Sequence, residues 1–175
     1  VELYVRLGSP KDLLDDLNKG NLHVLFLRNP TEEISQLHEK ILGEDPLELV
    51  MSRELDPAPE LDTIPIEALE GVPMCLLRSD DMWGYSTHLI NECQRRGFTP
   101  NTVCQCYDTP MAMQMVQAGF GISYLPRSIV ETQPNSSLYT KPLQGVTARS
   151  YPMLVWSGNI YYANCVMQFI SMFQD

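Results

Sequence analysis

Two short stretches, Arg78-Ser79-Asp80-Asp81 and Tyr107-Asp108-Thr109-Pro110, each follow an apolar run that reads as a strand and precede a segment that reads as a helix. In open α/β sheets, ligands settle beyond the carboxyl ends of the strands. Helix N-termini at that edge present backbone N–H groups and a field that favours an anion. Arg28 follows the run Leu22–Leu27 in the same way, and Ser52 follows Leu47–Met51. A small carboxylate could be gripped by Arg28 on one side and by the Ser79 and Thr109 regions on the other. Asp108 borders the same loop, and Trp83 and Tyr107 would serve as apolar walls. The same residues have a plainer reading. Ser79, Asp108 and Thr109 are also good helix caps, Arg28 also reads as solvated, and Trp83 and Tyr107 also read as packing groups. Both readings stand at this point.

Other chemistry is harder to find. Gly119-Phe120-Gly121 invites a dinucleotide reading, but a phosphate-cradling loop follows a strand and opens a helix. Here the glycines follow a helix and open a strand, which is a helix stop and a turn. The three histidines, His23, His38 and His88, stand in no nucleophile motif, and no serine has the G-x-S-x-G elbow. The carboxylate pairs Asp15-Asp16 and Asp80-Asp81 are adjacent in sequence, so in a helix they do not face each other. Cys104-x-Cys106 could hold a metal, yet no second pair or nearby histidine completes a site. The residues therefore predict no enzyme, no cofactor and no metal. Five cysteines, an odd number without dense spacing, predict free thiols and a reducing, cytoplasmic setting.

The chain has 175 residues, enough for one sizeable domain or two small lobes, and 44% of them are hydrophobic. No stretch has the length of a membrane span. Against 12 Lys and Arg stand 22 Asp and Glu, a net charge of −10. Phosphate-binding domains normally carry a basic face, so this chain is not expected to bind DNA by itself.

The elements that must position these residues follow from local pattern. Val1–Leu7 alternates as a strand. Ser9 and Pro10 open a helix with Leu13, Leu14 and Leu17 on one face, and Gly20 stops it. With the strand Leu22–Leu27 this makes a βαβ unit, whose strands are expected to be parallel. Leu47–Met51 is a further strand, and Asp56-Pro57-Ala58-Pro59 to Pro65 marks a boundary. A short helical turn at Ile66–Leu69 precedes Gly71. A second βαβ series follows: strand Met74–Leu77, helix Met82–Arg96 closed by Gly97, and strand Asn101–Tyr107. A helix then starts at Asp108-Thr109-Pro110, with Met111, Met115 and Ala118 on one side, before the strand Gly121–Leu125. After a polar stretch, Gln133–Gly145, come a strand Met153–Trp156 and a helix Tyr162–Phe173.

MAMQMVQAGFGISYLP, Met111–Pro126, resembles the helix, "aGxGia.lP" turn and strand of the effector-binding domain of LysR-type transcriptional regulators. Other pieces fall in that family's order. Gly20-Asn21-Leu22-His23-Val24 resembles its "g.lDlai" strand, with His23 in place of the usual Asp. Leu47–Ser52, Ile66–Pro73, Arg95–Pro100 and Leu154–Trp156 resemble later family segments. The resemblance covers essentially the whole chain. It implies an α/β, two-lobed fold like the type 2 periplasmic binding proteins, with two crossing strands. The first lobe would be about 1–50 and 147–175, and the second about 51–146. It implies a small-molecule effector, an organic acid or an aromatic, held in the cleft by Arg28, Ser52, Ser79, Trp83, Tyr107, Asp108 and Thr109. It also implies a homodimer or homotetramer, no membrane, and DNA contact only through a separate N-terminal helix-turn-helix. A solute-binding protein of the same fold serving transport is the alternative. By the same resemblance, a strand and helix of the first lobe, roughly 25 residues with their connections, precede Val1, and without them the lobe is expected to be incomplete.

Overall fold

The computed structural model describes residues 2–29, 34, 37–78, 84–133, 137–158 and 162–173. It divides into two compact units, residues 1–44 with 150–175, and residues 45–149.

In the first unit, α1 (Pro10–Asn18) opens as its sequence dictates. Ser9 accepts a hydrogen bond from the Asp12 N–H, Pro10 occupies the first turn, and Leu13, Leu14 and Leu17 are buried. Fully burying one such leucine contributes roughly 1.5–3 kcal/mol. The sheet has the order β1 (Leu25–Arg28), β9 (Pro152–Trp156), β2 (His38–Ile41), with both pairings antiparallel. The central strand β9 buries Met153, Leu154 and Val155 completely. Phe26, on the outward side of β1, meets Phe169 and Phe173 of the α5 end (Asn164–Ser171) edge to face, at 6.3 and 5.5 Å.

The expected strand Val1–Leu7 is not formed. Residues 2–7 carry no strand, and Tyr4 and Leu7 are 85% and 93% exposed. Alternation makes a segment fit to be a strand, but the backbone groups still need a ladder partner. The expected parallel βαβ unit is absent for the same reason, and β1 pairs with the late strand β9 instead.

The second unit is built around β3 (Asp45–Met51), which lies between β6 (Ser123–Pro126) and β7 (Tyr139–Lys141), antiparallel to both. β8 is two residues, Arg149–Ser150, where the chain leaves this unit. The second βαβ series forms as the sequence predicts. β4 (Pro73–Leu77) and β5 (Asn101–Cys106) are parallel, joined by α2 (Tyr85–Arg95). α2 begins at Tyr85, with Gly84 as its N-cap in a left-handed conformation (φ 66°); Met82, where the sequence places the start, lies outside the described residues. In α3 (Thr109–Gln117) the buried face is Ala112, Met113 and Val116, while Met111 and Met115 are half-buried and Ala118 is exposed. The expected face was therefore turned by one residue. A short helix, α4 (Ser128–Glu131), follows β6.

The Pro-rich stretch lies inside this unit and is fixed by a buried ion pair. The Asp56 carboxylate, 1% exposed, accepts from Lys141 Nζ at 2.5 Å, from the Tyr139 hydroxyl at 2.5 Å and from the Ala58 N–H at 2.8 Å. Gly121 lets the chain pass close to β4: a Cβ there would stand 2.4 Å from the Pro73 carbonyl oxygen.

Candidate functional site

The carboxyl ends of β4 and β5 lie side by side. Leu77 pairs with Cys106, and the next residue, Arg78, donates its N–H to the Cys106 carbonyl at 3.0 Å. This extension of the ladder sets Arg78 beside Tyr107, with the guanidinium carbon 4.7 Å from the ring centroid. Tyr107 is 76% exposed. The apolar face of a ring under a cation is a favourable pairing, worth about 0.5–1 kcal/mol at an exposed position. Chain direction explains the placement: β4 and β5 are parallel, so both strands deliver their following residues to one edge.

Asp108 and Thr109 continue from Tyr107. Asp108 is the N-cap of α3, and its carboxylate accepts the Met111 N–H at 2.8 Å. Thr109 and Pro110 fill the first turn. The capping reading of Asp108 is thus realised, and it holds the loop that presents Tyr107. Ser52 lies at the end of β3, where its carbonyl accepts the Leu55 N–H at 3.2 Å and its side chain makes no cap bond. Ser79 and Trp83 lie outside the described residues.

In the first unit, Arg28 is the last residue of β1 and its guanidinium reaches the Ser150 hydroxyl at 3.5 Å. Asn29 follows in the left-handed region (φ 70°), which Asn tolerates better than most residues. It is pinned there by two bonds to Tyr151: its N–H donates to the Tyr151 carbonyl at 2.9 Å, and its side-chain oxygen accepts the Tyr151 N–H at 2.8 Å. The backbone at Asn29, next to Arg28, is therefore fixed against Tyr151.

The structure brings Tyr107, Asp108 and Thr109 together and adds Arg78, which the sequence marked only as the start of a loop. Its signal was available: it is the first residue after β4, as Tyr107 is the first after β5. Ser150 and Asn29 were not found from the sequence, since neither stands in a motif. Among the described residues, no group of three or more His, Cys, Asp or Glu side chains is placed to hold a metal ion. No helix among them is long and apolar enough to cross a membrane.

This mixed α/β fold has known counterparts. The family model of the LysR substrate binding domain matches residues 1–175. The chain belongs to the LysR substrate-binding domain family. It is similar to the HTH-type transcriptional regulator BsdA of Bacillus subtilis (strain 168), with 28% identity over 134 residues, 77% of this chain and 46% of that protein. It is also similar to AlsR of the same organism, with 26% identity over 128 residues, 73% of this chain and 42% of that protein. The LysR-family chain thus spans about half the length of the curated relatives it matches. Among solved structures, the regulatory domain of CcmR from Synechocystis PCC6803, determined in complex with 2-PG, superposes with a TM-score of 0.79 at 16% identity, covering 98% of this chain and 81% of that one. The reduced form of OxyR gives 0.73 at 20% identity, covering 99% and 78%. The fold is that of LysR regulatory domains, as the sequence resemblance implied.

Proposed function

We propose that this domain is the effector sensor of a LysR-type transcriptional regulator, in which binding of a small molecule alters how the whole protein engages DNA. The observation that carries the reading is the Arg78–Tyr107 pair at the shared carboxyl edge of β4 and β5, in a chain of this family. That edge is where ligands of parallel α/β sheets bind. In the second unit Arg78 and Tyr107 join Ser52, Ser79, Trp83, Asp108 and Thr109 as proposed effector-contacting residues, and in the first unit Arg28 is proposed for the same role. The guanidinium groups suit a carboxylate, and the ring face of Tyr107 suits an apolar or aromatic body. The effector class that fits is a small organic acid or aromatic compound. The whole regulator works as a cytoplasmic homodimer or homotetramer and reaches DNA through its helix-turn-helix. The relatives, named as HTH-type transcriptional regulators, support this reading over a transport role.

A thermal-shift screen of small organic acids and aromatics on this chain tests the reading. A saturable rise in Tm with one compound class, weakened by Tyr107→Ala and Arg78→Gln, is the expected result. The same compound should change operator binding by the full-length regulator in a gel shift. Chemical turnover of the compound, or a Tm rise with no effect on operator binding, would overturn it.

A further inference from the structure

Cys104 and Cys106 lie on one face of β5, with their sulfurs 3.7 Å apart. Alternate residues of a strand are separated by about 6.7 Å along the backbone. The two side chains therefore lean toward each other. Among the described residues β5 pairs only with β4 in its sheet. Cys106 is buried, while Cys104 is partly exposed and opens the pair to solvent. Cys75 stands opposite Cys104 in the ladder and is buried.

Three outcomes are chemically open to such a pair. Among the described residues no group of three His, Cys, Asp or Glu side chains is placed to hold a metal ion here. A direct disulfide would have to close the gap to about 2 Å between alternate residues of an extended strand, near the outer limit of Cα separations that bridges tolerate. A single larger thiophilic atom inserted between the sulfurs needs no such closure. We propose that Cys104 and Cys106 form a dithiol site that captures trivalent arsenicals. In the capture step, an arsenic carrying two hydroxyl groups condenses with the two thiols. Two As–O and two S–H bonds break, two As–S bonds form, and two waters leave; no oxidation state changes. The second bond forms within one molecule, so the pair holds arsenic far more tightly than a single thiol does. Burial pushes the Cys106 thiol well above its ordinary pKa, with the neighbouring Cys104 adding to the rise. Alkylation, which requires a thiolate, should therefore be slow at neutral pH. β5 runs directly from Cys106 into Tyr107, so the captured arsenic sits beside the effector-contacting loop.

The test uses phenylarsine oxide as the probe and native intact-mass spectrometry of the whole chain as the readout. The expected result is one phenylarsenic group per chain, removed by 2,3-dimercaptopropanol and not by an equal concentration of a monothiol. Cys104→Ala and Cys106→Ala should each abolish the adduct, and Cys75→Ala should keep it. Cys106 is buried, so its variant must first show an unchanged melting curve; if it does not, loss of the adduct in Cys104→Ala together with its retention in Cys75→Ala decides, since Cys75 also faces Cys104. The proposal is overturned if wild-type chain takes no adduct. Persistence of the adduct in Cys104→Ala, or a wild-type mass two hydrogens short before the probe is added, has the same force.

Discussion

Arg78 and Tyr107 are the first residues after two parallel strands, and the guanidinium of one covers the ring of the other at 4.7 Å. Because Tyr107 is largely exposed, its packing supports the fold little. Tyr107→Ala should lower stability by no more than about 1 kcal/mol. It should weaken effector binding by about tenfold or more, equivalent to ~1.4 kcal/mol. Calorimetric titration with a compound found in the thermal-shift screen measures this directly. Normal affinity in the variant would place the site elsewhere.

Asp108 caps α3 through the Met111 N–H. Asp108→Ala should cost about 1 kcal/mol of stability, whereas Asp108→Asn, an equally good cap, should keep nearly all of it. Urea denaturation of the three proteins separates the cases. If both variants melt alike, the cap contributes nothing to α3.

The carboxylate of Asp56 is almost fully enclosed, with Lys141, Tyr139 and the Ala58 N–H as donors. Lys141→Ala leaves a buried charge short of its cation and should destabilise the domain by about 3 kcal/mol. Despite the desolvation that opposes it, the donors hold the Asp56 pKa below the ordinary carboxylate value of 3.8. The sign follows from proton linkage. The carboxylate's contribution is fully present above its unfolded pKa and is lost as pH falls through the lower folded one. Acid unfolding of the wild type should therefore show a stability loss that sets in as pH falls to the ordinary carboxylate value of 3.8 and continues through the lower folded pKa, and Asp56→Asn should flatten it. An unchanged acid limb in Asp56→Asn would contradict the assignment.

Gly119 and Gly121 differ in why they are glycine. Gly121 has no room, since a Cβ would overlap the Pro73 carbonyl, whereas Gly119 has space but a φ of +80°. Gly121→Ala should cost roughly 1–3 kcal/mol through forced backbone displacement, and Gly119→Ala roughly 1–2 kcal/mol through left-handed strain. A hydrogen-exchange comparison distinguishes them. Gly121→Ala should loosen β4 and β6 together, and Gly119→Ala only the end of α3. Identical exchange patterns would refute the distinction.

What the sequence made legible was local. Ser9-Pro10 and Asp108-Thr109-Pro110 open helices where read, because a cap and its N–H partner lie three residues apart. The β4–α2–β5 series was legible because apolar runs bracket one helical period. Pairing was not. Residues 2–7 alternate like a strand but find no ladder, and β1 pairs with a strand over a hundred residues later. β2, whose residues are largely exposed, and the three-residue β7 left no apolar pattern to see. Of the candidate site, strand ends and loop residues could be read, but the stacking of Arg78 on Tyr107 depends on parallel neighbours. The Asp56–Lys141 pair joins residues distant in sequence and was invisible for the same reason.

The central strand of the first unit's sheet is β9, residues 152–156, while the second unit is one continuous stretch, residues 45–149. Chains usually fold from the N-terminus as they leave the ribosome. Here the order must reverse. The second unit is complete once Arg149 has emerged, whereas β1 and β2, synthesised earlier, have no shared partner until Pro152–Trp156 has emerged as well. A nascent chain arrested with Arg149 just clear of the ribosome would carry a finished second unit behind an unfinished first one. During that interval the nascent first unit is the part with open strand edges, and so the part for a chaperone to shelter.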